Sequence, residues 1–218
     1  MTHPDSVQRQ HAPAVLANRL TGQDRWGRRC QGYNLCARPG AGPAADLAAV
    51  QDQLLRLEPS LHRVPAPALH VNVAWLLPVH LEFEHPKDEL WQQHGAEWTA
   101  AARRIVAGTG AFRLCFDRLV ATDAAIIAVA REPNPVTALR RELAGALRLG
   151  RPLSAGGLVH STLLRYGGRL RDPAGLLRCL AAAGSEVRQP VSELLVVRER
   201  VFPSLDYEIC DRLPLAAA

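Results

Sequence analysis

The sequence predicts an α+β fold built on antiparallel sheet, and three observations carry that expectation. Short runs rich in valine, isoleucine and leucine recur along the chain at strand length. Helical patterns fall between them without strict alternation, which argues against a doubly wound parallel sheet. Several of the apolar runs also follow one another closely enough to pair as hairpins. At 218 residues, with 48% apolar and 22% charged side chains, the chain can bury a substantial core and divide it between two lobes of one domain.

Taken in order, residues 1–28 are polar without a sustained period and read as a loose N-terminal extension; residues 29–218 read as a single bilobal domain. "QGYNLCAR" (31–38) reads as a strand, followed by a helix over 43–57 that ends before Pro59. "ALHVNVAWLL" (68–77) has the valine and aromatic content of a strand. Residues 87–107 carry the clearest helical period, with Leu90, Trp91, His94, Trp98, Ala102 and Ile105 on one face. "AFRLCFDRLV" and "AAIIAVA" read as strands joined by a turn at Thr122–Asp123, and a helix follows over 135–148. "GLVHSTLLRY" (157–166) reads as a strand, 173–183 as a short helix, and "SELLVVRERVF" with "DYEICDRL" as a closing hairpin around Pro203–Ser204. About seven strands and four helices result.

No apolar run approaches the roughly 18 residues that span a bilayer, and "MTHPDSVQRQHAPAV" lacks the charged-then-apolar layout of a secretory signal. A cytoplasmic protein with no membrane partner is expected. Five cysteines, widely spread and without a CxxC pair, fit neither a disulfide framework nor a zinc knuckle, and Cys115 and Cys210 read as small buried hydrophobes. The formal net charge is +5, and Lys87 is the one lysine among 26 basic residues. Arginine suits planar recognition of phosphate, so the charge gives weak support for an anionic ligand.

Two of the strands share a pattern that composition does not require. His70 and Asn72 project from one face of their strand, as His160 and Thr162 do from theirs, each pair about 7 Å apart along the chain. Imidazole titrates near neutrality, so two rings can divide a proton transfer between base and acid. A neighbouring hydroxyl or amide can donate to a phosphoryl oxygen. Two such units facing each other would form a site for in-line attack at a phosphodiester.

"VPAPALHVNVAWLLP" and "LVHSTLLR" resemble the paired His-x-Thr/Ser-apolar motifs of the 2H phosphoesterase superfamily, which includes the 2′,5′ RNA ligase-like proteins and cyclic nucleotide phosphodiesterases. The likeness includes the Val-Pro lead-in before the first motif and Arg165, three residues after Thr162, and it covers roughly residues 31–213. It implies a bilobal α+β fold, two antiparallel sheets related by a pseudo-twofold axis around a central cleft, with helices on the outer faces. It implies hydrolysis of 2′,3′-cyclic or related phosphodiesters of nucleotides or RNA ends, with no cofactor and no metal. His70 and His160 would be the acid/base pair, and Asn72 and Thr162 would hold the phosphoryl oxygens. The first motif departs from the family by carrying Asn72 where Thr or Ser is usual, which keeps a nucleotide- or RNA-end-binding module with weakened chemistry as the alternative. RNA ligation, the same site run in reverse, is the lesser one.

Other residues read more plainly. His80, Glu82, Glu84, His85 and His94 match no metal-ligand spacing. Arginines 103, 104, 140, 141, 148 and 151 read as solvated helix faces. Regular alternation places Tyr166 on the histidine side, and Trp75 and Arg165 on the other. Arg165 and Tyr166 are candidate phosphate or base contacts, Tyr166 also being a candidate for the core, where Trp75 is expected. "AGTGA" and "SAGGL" read as turns, and Ser161 lacks the Gly-x-Ser-x-Gly elbow of a serine hydrolase. The loops at 78–87 and 148–157 are expected to border the cleft.

Overall fold

The helix expected over 87–107 forms with those bounds in the computed structural model, because Trp98, Ala102 and Val106 recur on one buried face. The structure describes residues 3–21, 23–147, 157–184 and 186–217; Arg148, Arg151 and most of the second cleft-bordering loop lie outside them. Within that range the helices are α1 (Pro4–Leu16), α2 (Ala41–Leu57), α3 (Lys87–Ala107), α4 (Pro135–Ala146) and α5 (Pro173–Ala182). The strands are β1 (Arg29–Ala37), β2 (Leu61–Arg63), β3 (Val71–Leu77), β4 (Phe112–Ala121), β5 (Ala125–Ala130), β6 (His160–Tyr166), β7 (Val187–Val191), β8 (Glu193–Val201) and β9 (Asp206–Pro214). α4 and α5 begin as sequence rules prescribe. Asn134 and Asp172 cap them through Val136 N–H and Gly175 N–H, and proline occupies the first turn of each.

The strands form one antiparallel path in the order β7-β4-β5-β6-β3-β1-β8-β9, with β2 paired to β6. Its two halves, β6-β5-β4-β7 and β3-β1-β8-β9, are related by a pseudo-twofold in strand order, and β3 and β6 are joined through one residue pair, Val71 with Ser161. The two expected sheets are thus fused at their shared edge. α2 and α5 pack on the first half and α3 and α4 on the second. The main core lies under these helices, with Leu47, Leu54, Leu114 and Leu163 on one side and Leu35, Trp98, Val106 and Val196 on the other.

Three elements depart from the expectation. Residues 4–16, read as loose, form α1, held by contacts far away in sequence: Gln8 Oε1 accepts from Ala121 N–H, and Val15 is fully buried. β2 is too short to register as a pattern. β7 contains Pro190, which lowers its strand signal; as an edge strand it tolerates the missing N–H. Cys210 is exposed and Cys115 half-buried, while Cys36 fills the buried role expected of them. No helix among the described residues is long and apolar enough to cross a membrane.

Candidate active site

The junction between the halves positions the site. Val71 and Ser161 pair, and each is the residue following a histidine, so His70 and His160 enter the cleft from opposite halves on either side of the pseudo-twofold. Val71 and Ser161 themselves point away and are buried. Each ring is held by the carbonyl two residues before it: His70 Nδ1 lies 2.8 Å from Ala68 O, and His160 Nδ1 lies 3.0 Å from Leu158 O. A carbonyl can only accept, so Nδ1 carries the proton in both rings and Nε2 is left with the lone pair. Burial lowers both ring pKa values, that of His70 to about 4, with the positive field of Arg38, His160 and Arg165 adding to the effect there. For His160, burial is likewise the main cause, with Arg140 and Arg165 contributing. Both rings are therefore neutral at neutral pH, and each can accept a proton.

His70, Asn72, His160, Thr162 and Arg165 line one cavity of about 580 Å³. Tyr166 is absent from its lining: its ring is buried and its hydroxyl donates to Thr122 O at 2.7 Å. The reason is a bulge. Ile127 pairs with Thr162 and Ile126 with Leu164, leaving Leu163 as an extra residue in β6. Every side chain after it changes face, which brings Arg165 into the cleft and sends Tyr166 to the core. β3 repeats the device. Cys36 pairs with Asn72 and Leu35 with Ala74, so Val73 is extra, and Trp75 faces the cavity instead of the core where alternation put it. The two half-sites are then His70, Asn72, Trp75 and His160, Thr162, Arg165, at equal spacings. The signal was present as apolar doublets, Val73-Ala74 and Leu163-Leu164, that interrupt alternation after each polar residue.

Each bulge is braced from an outer helix. Gln51 of α2, fully buried, donates to Leu163 O and Val64 O, both at 2.7 Å. Arg140 of α4 donates to Asn72 O at 2.8 Å, Val73 O at 3.2 Å and Gly157 O at 3.2 Å. The reading of Arg140 as a solvated surface residue is corrected: it is buried and borders the cavity. Amphipathic spacing cannot reveal a cation whose acceptors are carbonyls on another element.

Among the described residues, two donors in the cleft have no acceptor. Asn72 Nδ2 is buried without a partner, and so is Nε of Arg165, whose guanidinium lies 4.7 Å over the Phe202 ring. Unpaired buried donors are costly, so both N–H groups are available to an acceptor that enters the cleft. Arg25, Glu199, Phe202 and Pro203 complete one end of the cavity, and Trp75, Pro78, Val79 and His80 the other; the lining residues Pro78, Val79 and His80 come from the first of the two loops expected to border it. A second hollow of about 620 Å³ lies on β1 and β8, lined by Arg29, Lys87, Arg198 and Arg200 with Asp206. No histidine lines it among the described residues, and burial pushes its Cys30 thiol up to about 12, too high for a nucleophile at neutral pH. Among the described residues no three His, Cys, Asp or Glu side chains are grouped as a metal site.

No family model matches the chain, and no curated protein matches it significantly. Solved structures do. TT0787 of Thermus thermophilus superposes with a TM-score of 0.60 at 18% identity, over 85% of this chain and 98% of that one. E. coli LigT complexed with phosphate gives 0.59 at 16% identity, over 87% and 99%. The MHV ns2 PDE domain gives 0.51 at 13% identity, over 78% and 99%. This chain has the 2H phosphoesterase fold. The 2H architecture explains why the histidines come in two copies: each half of the pseudo-symmetric sheet contributes one central strand, and those strands meet at a single pair. At these identities the likeness speaks for the fold, and the chemistry rests on the residues above.

Proposed function

We propose that the cleft hydrolyses 2′,3′-cyclic or related cyclic phosphodiesters of nucleotides or RNA ends, by two-histidine acid–base catalysis without a metal ion. The observation that carries this reading is the matched pair of rings, each fixed through Nδ1–H on a backbone carbonyl with Nε2 free in one cavity. One neutral ring takes a proton from water at Nε2 as the water oxygen attacks phosphorus. The P–O bond to one ribose oxygen breaks, and that oxygen takes a proton from Nε2 of the other ring, charged in the bound state. The phosphodiester anion favours that charge by opposing the desolvation that depresses the ring's pKa in the empty cleft. Asn72 Nδ2 and the Thr162 hydroxyl donate to the non-bridging oxygens, where charge builds up during attack. The neighbours support a nucleotide: E. coli LigT has been crystallised with ATP and with 3′-AMP.

The test is turnover of 2′,3′-cyclic mononucleotides and of a short RNA ending in a cyclic phosphate, in EDTA, by wild type, His70→Ala and His160→Ala. Hydrolysis that survives EDTA and is lost in both variants is the expected result. Activity retained in either variant would refute the paired mechanism. Asn72 favours a second reading, a nucleotide-binding module, since a planar amide replaces the hydroxyl opposite Thr162. Binding of the same ligands with no turnover in wild type or in Asn72→Thr would establish that one.

A further inference from the structure

The N-terminal segment closes one end of the cleft. Directly opposed residues on antiparallel strands share a face, so Ile127 and Val129, opposite Thr162 and His160, lie on the histidine side. Val7 of α1 packs on the apolar cluster that these two residues form with Val120 and Ala125. α1 therefore covers the histidine face of β4 and β5. Further on, Asn18 and Leu170 exchange two hydrogen bonds, and Thr21 N–H donates to Asp123 O at 2.8 Å, which fixes the segment to this half of the sheet.

Residues 25–28 tie this half to the other through a closed circuit of contacts. Arg165 of β6 pairs with His62 of β2. Trp26 stacks on the His62 ring, with ring centres 5.0 Å apart. Gly27 N–H donates to Phe202 O at 2.9 Å, and Phe202 N–H donates to Arg28 O at 3.0 Å. The Phe202 ring in turn lies 4.7 Å from the Arg165 guanidinium, which completes the circuit. Gly27 has φ +71°, a left-handed conformation that suits glycine and turns the chain from Trp26 toward Phe202. Arg25, Phe202 and Pro203 line the cavity from this circuit, so a ligand that runs along β6 from His160 past Arg165 meets a wall. Backbone hydrogen bonds and ring contacts from segments far apart in the chain hold that wall in place.

A phosphodiester inside a chain sends a nucleoside away from phosphorus on both sides, whereas a terminal or cyclic phosphate sends one only. A cleft walled at one end accommodates the second kind and clashes with the first. We propose that residues 25–28 make the cleft blind at the Arg165 end, so that it takes terminal or cyclic phosphate esters and rejects a phosphodiester flanked by two nucleosides. Joining two RNA ends would place a chain on each side of phosphorus, so the same wall sets the site for hydrolysis over ligation. This rests on the reading of the histidine cleft as a phosphate-ester site.

The test is calorimetric titration of the full chain with three probes: a nucleoside 3′-monophosphate, its methyl ester, and a dinucleoside phosphate. The last two are phosphodiesters of equal charge that differ in the second nucleoside, and both are built on 2′-deoxyribose so that neither can cyclise. Wild type should bind the monophosphate and the methyl ester, and the methyl ester about tenfold or more tightly than the dinucleoside phosphate. Gly27→Pro removes the N–H that donates to Phe202 O and cannot adopt the positive φ, so it opens the wall locally. There the ratio should fall to about threefold or less. Trp26→Ala, which removes the stack on His62 from a half-buried position, should lower it in the same direction and stands in if Gly27→Pro does not fold. A dinucleoside phosphate bound by wild type as tightly as the methyl ester overturns the wall alone, as does a ratio unchanged in the folded variants. Discrimination that behaves as expected in a protein that hydrolyses no cyclic ester overturns the catalytic reading alone, and no binding of any probe overturns both.

Discussion

Lowering the pH should destabilise this protein through its own candidate catalytic ring. His70 is neutral in the folded state down to about pH 4, while in the unfolded chain it titrates near 6.5. Between those values the unfolded state binds a proton that the native state refuses, so stability falls as pH drops through this window. At pH 5 this amounts to about 2 kcal/mol, from about 1.4 kcal/mol per pH unit over the interval below 6.5. The perturbation is His70→Gln, which keeps a polar side chain and removes the titration. The assay is urea unfolding of both proteins at pH 7.5 and 5.0. Wild type should lose about 2 kcal/mol more than the variant over that interval. His160, lowered in the same direction, is present in both proteins and cancels in the difference. Equal losses would show that the His70 ring is not held neutral by burial, and the proton bookkeeping proposed for the cleft would have to be reassigned.

Two further outcomes test the geometry around the site. Gln51→Leu removes both donors to Leu163 O and Val64 O from a buried position and should cost about 2 kcal/mol in urea unfolding; a smaller cost to stability than a typical exposed polar substitution would show that the bulge does not need its brace. Tyr166→Phe removes the hydrogen bond to Thr122 O and should lower stability by about 1 kcal/mol while leaving turnover of a cyclic substrate unchanged. A large loss of turnover there would return Tyr166 to the cleft.

The local patterns were legible where a single element decides its own shape. The α3 bounds follow from one apolar stripe, and the starts of α4 and α5 from Asn134-Pro135 and Asp172-Pro173. The candidate pairing of His70 with His160, and of Asn72 with Thr162, was legible because two strands repeat one pattern. Arg140 and α1 were misread because their partners lie far along the chain, as backbone carbonyls of β3 for the one and the end of β4 with the turn after it for the other. Trp75 and Tyr166 were placed on the wrong faces because each strand gains one residue partway along, and a strand's facing depends on counting by two.

The sequence by itself determined the α+β class, the helices with strong periods, and the four polar residues His70, Asn72, His160 and Thr162, because alternation and amphipathic spacing are properties of neighbours in the chain. Only the tertiary structure decided which side chains share the cleft with them. The bulges at Val73 and Leu163 arise from pairing with β1 and β5, and the course of residues 4–21 and 23–28 arises from contacts with both halves of the sheet. Those choices depend on packing and hydrogen-bond satisfaction between distant segments, which is why one end of the cleft carries Trp75 and the other Arg25 and Arg165.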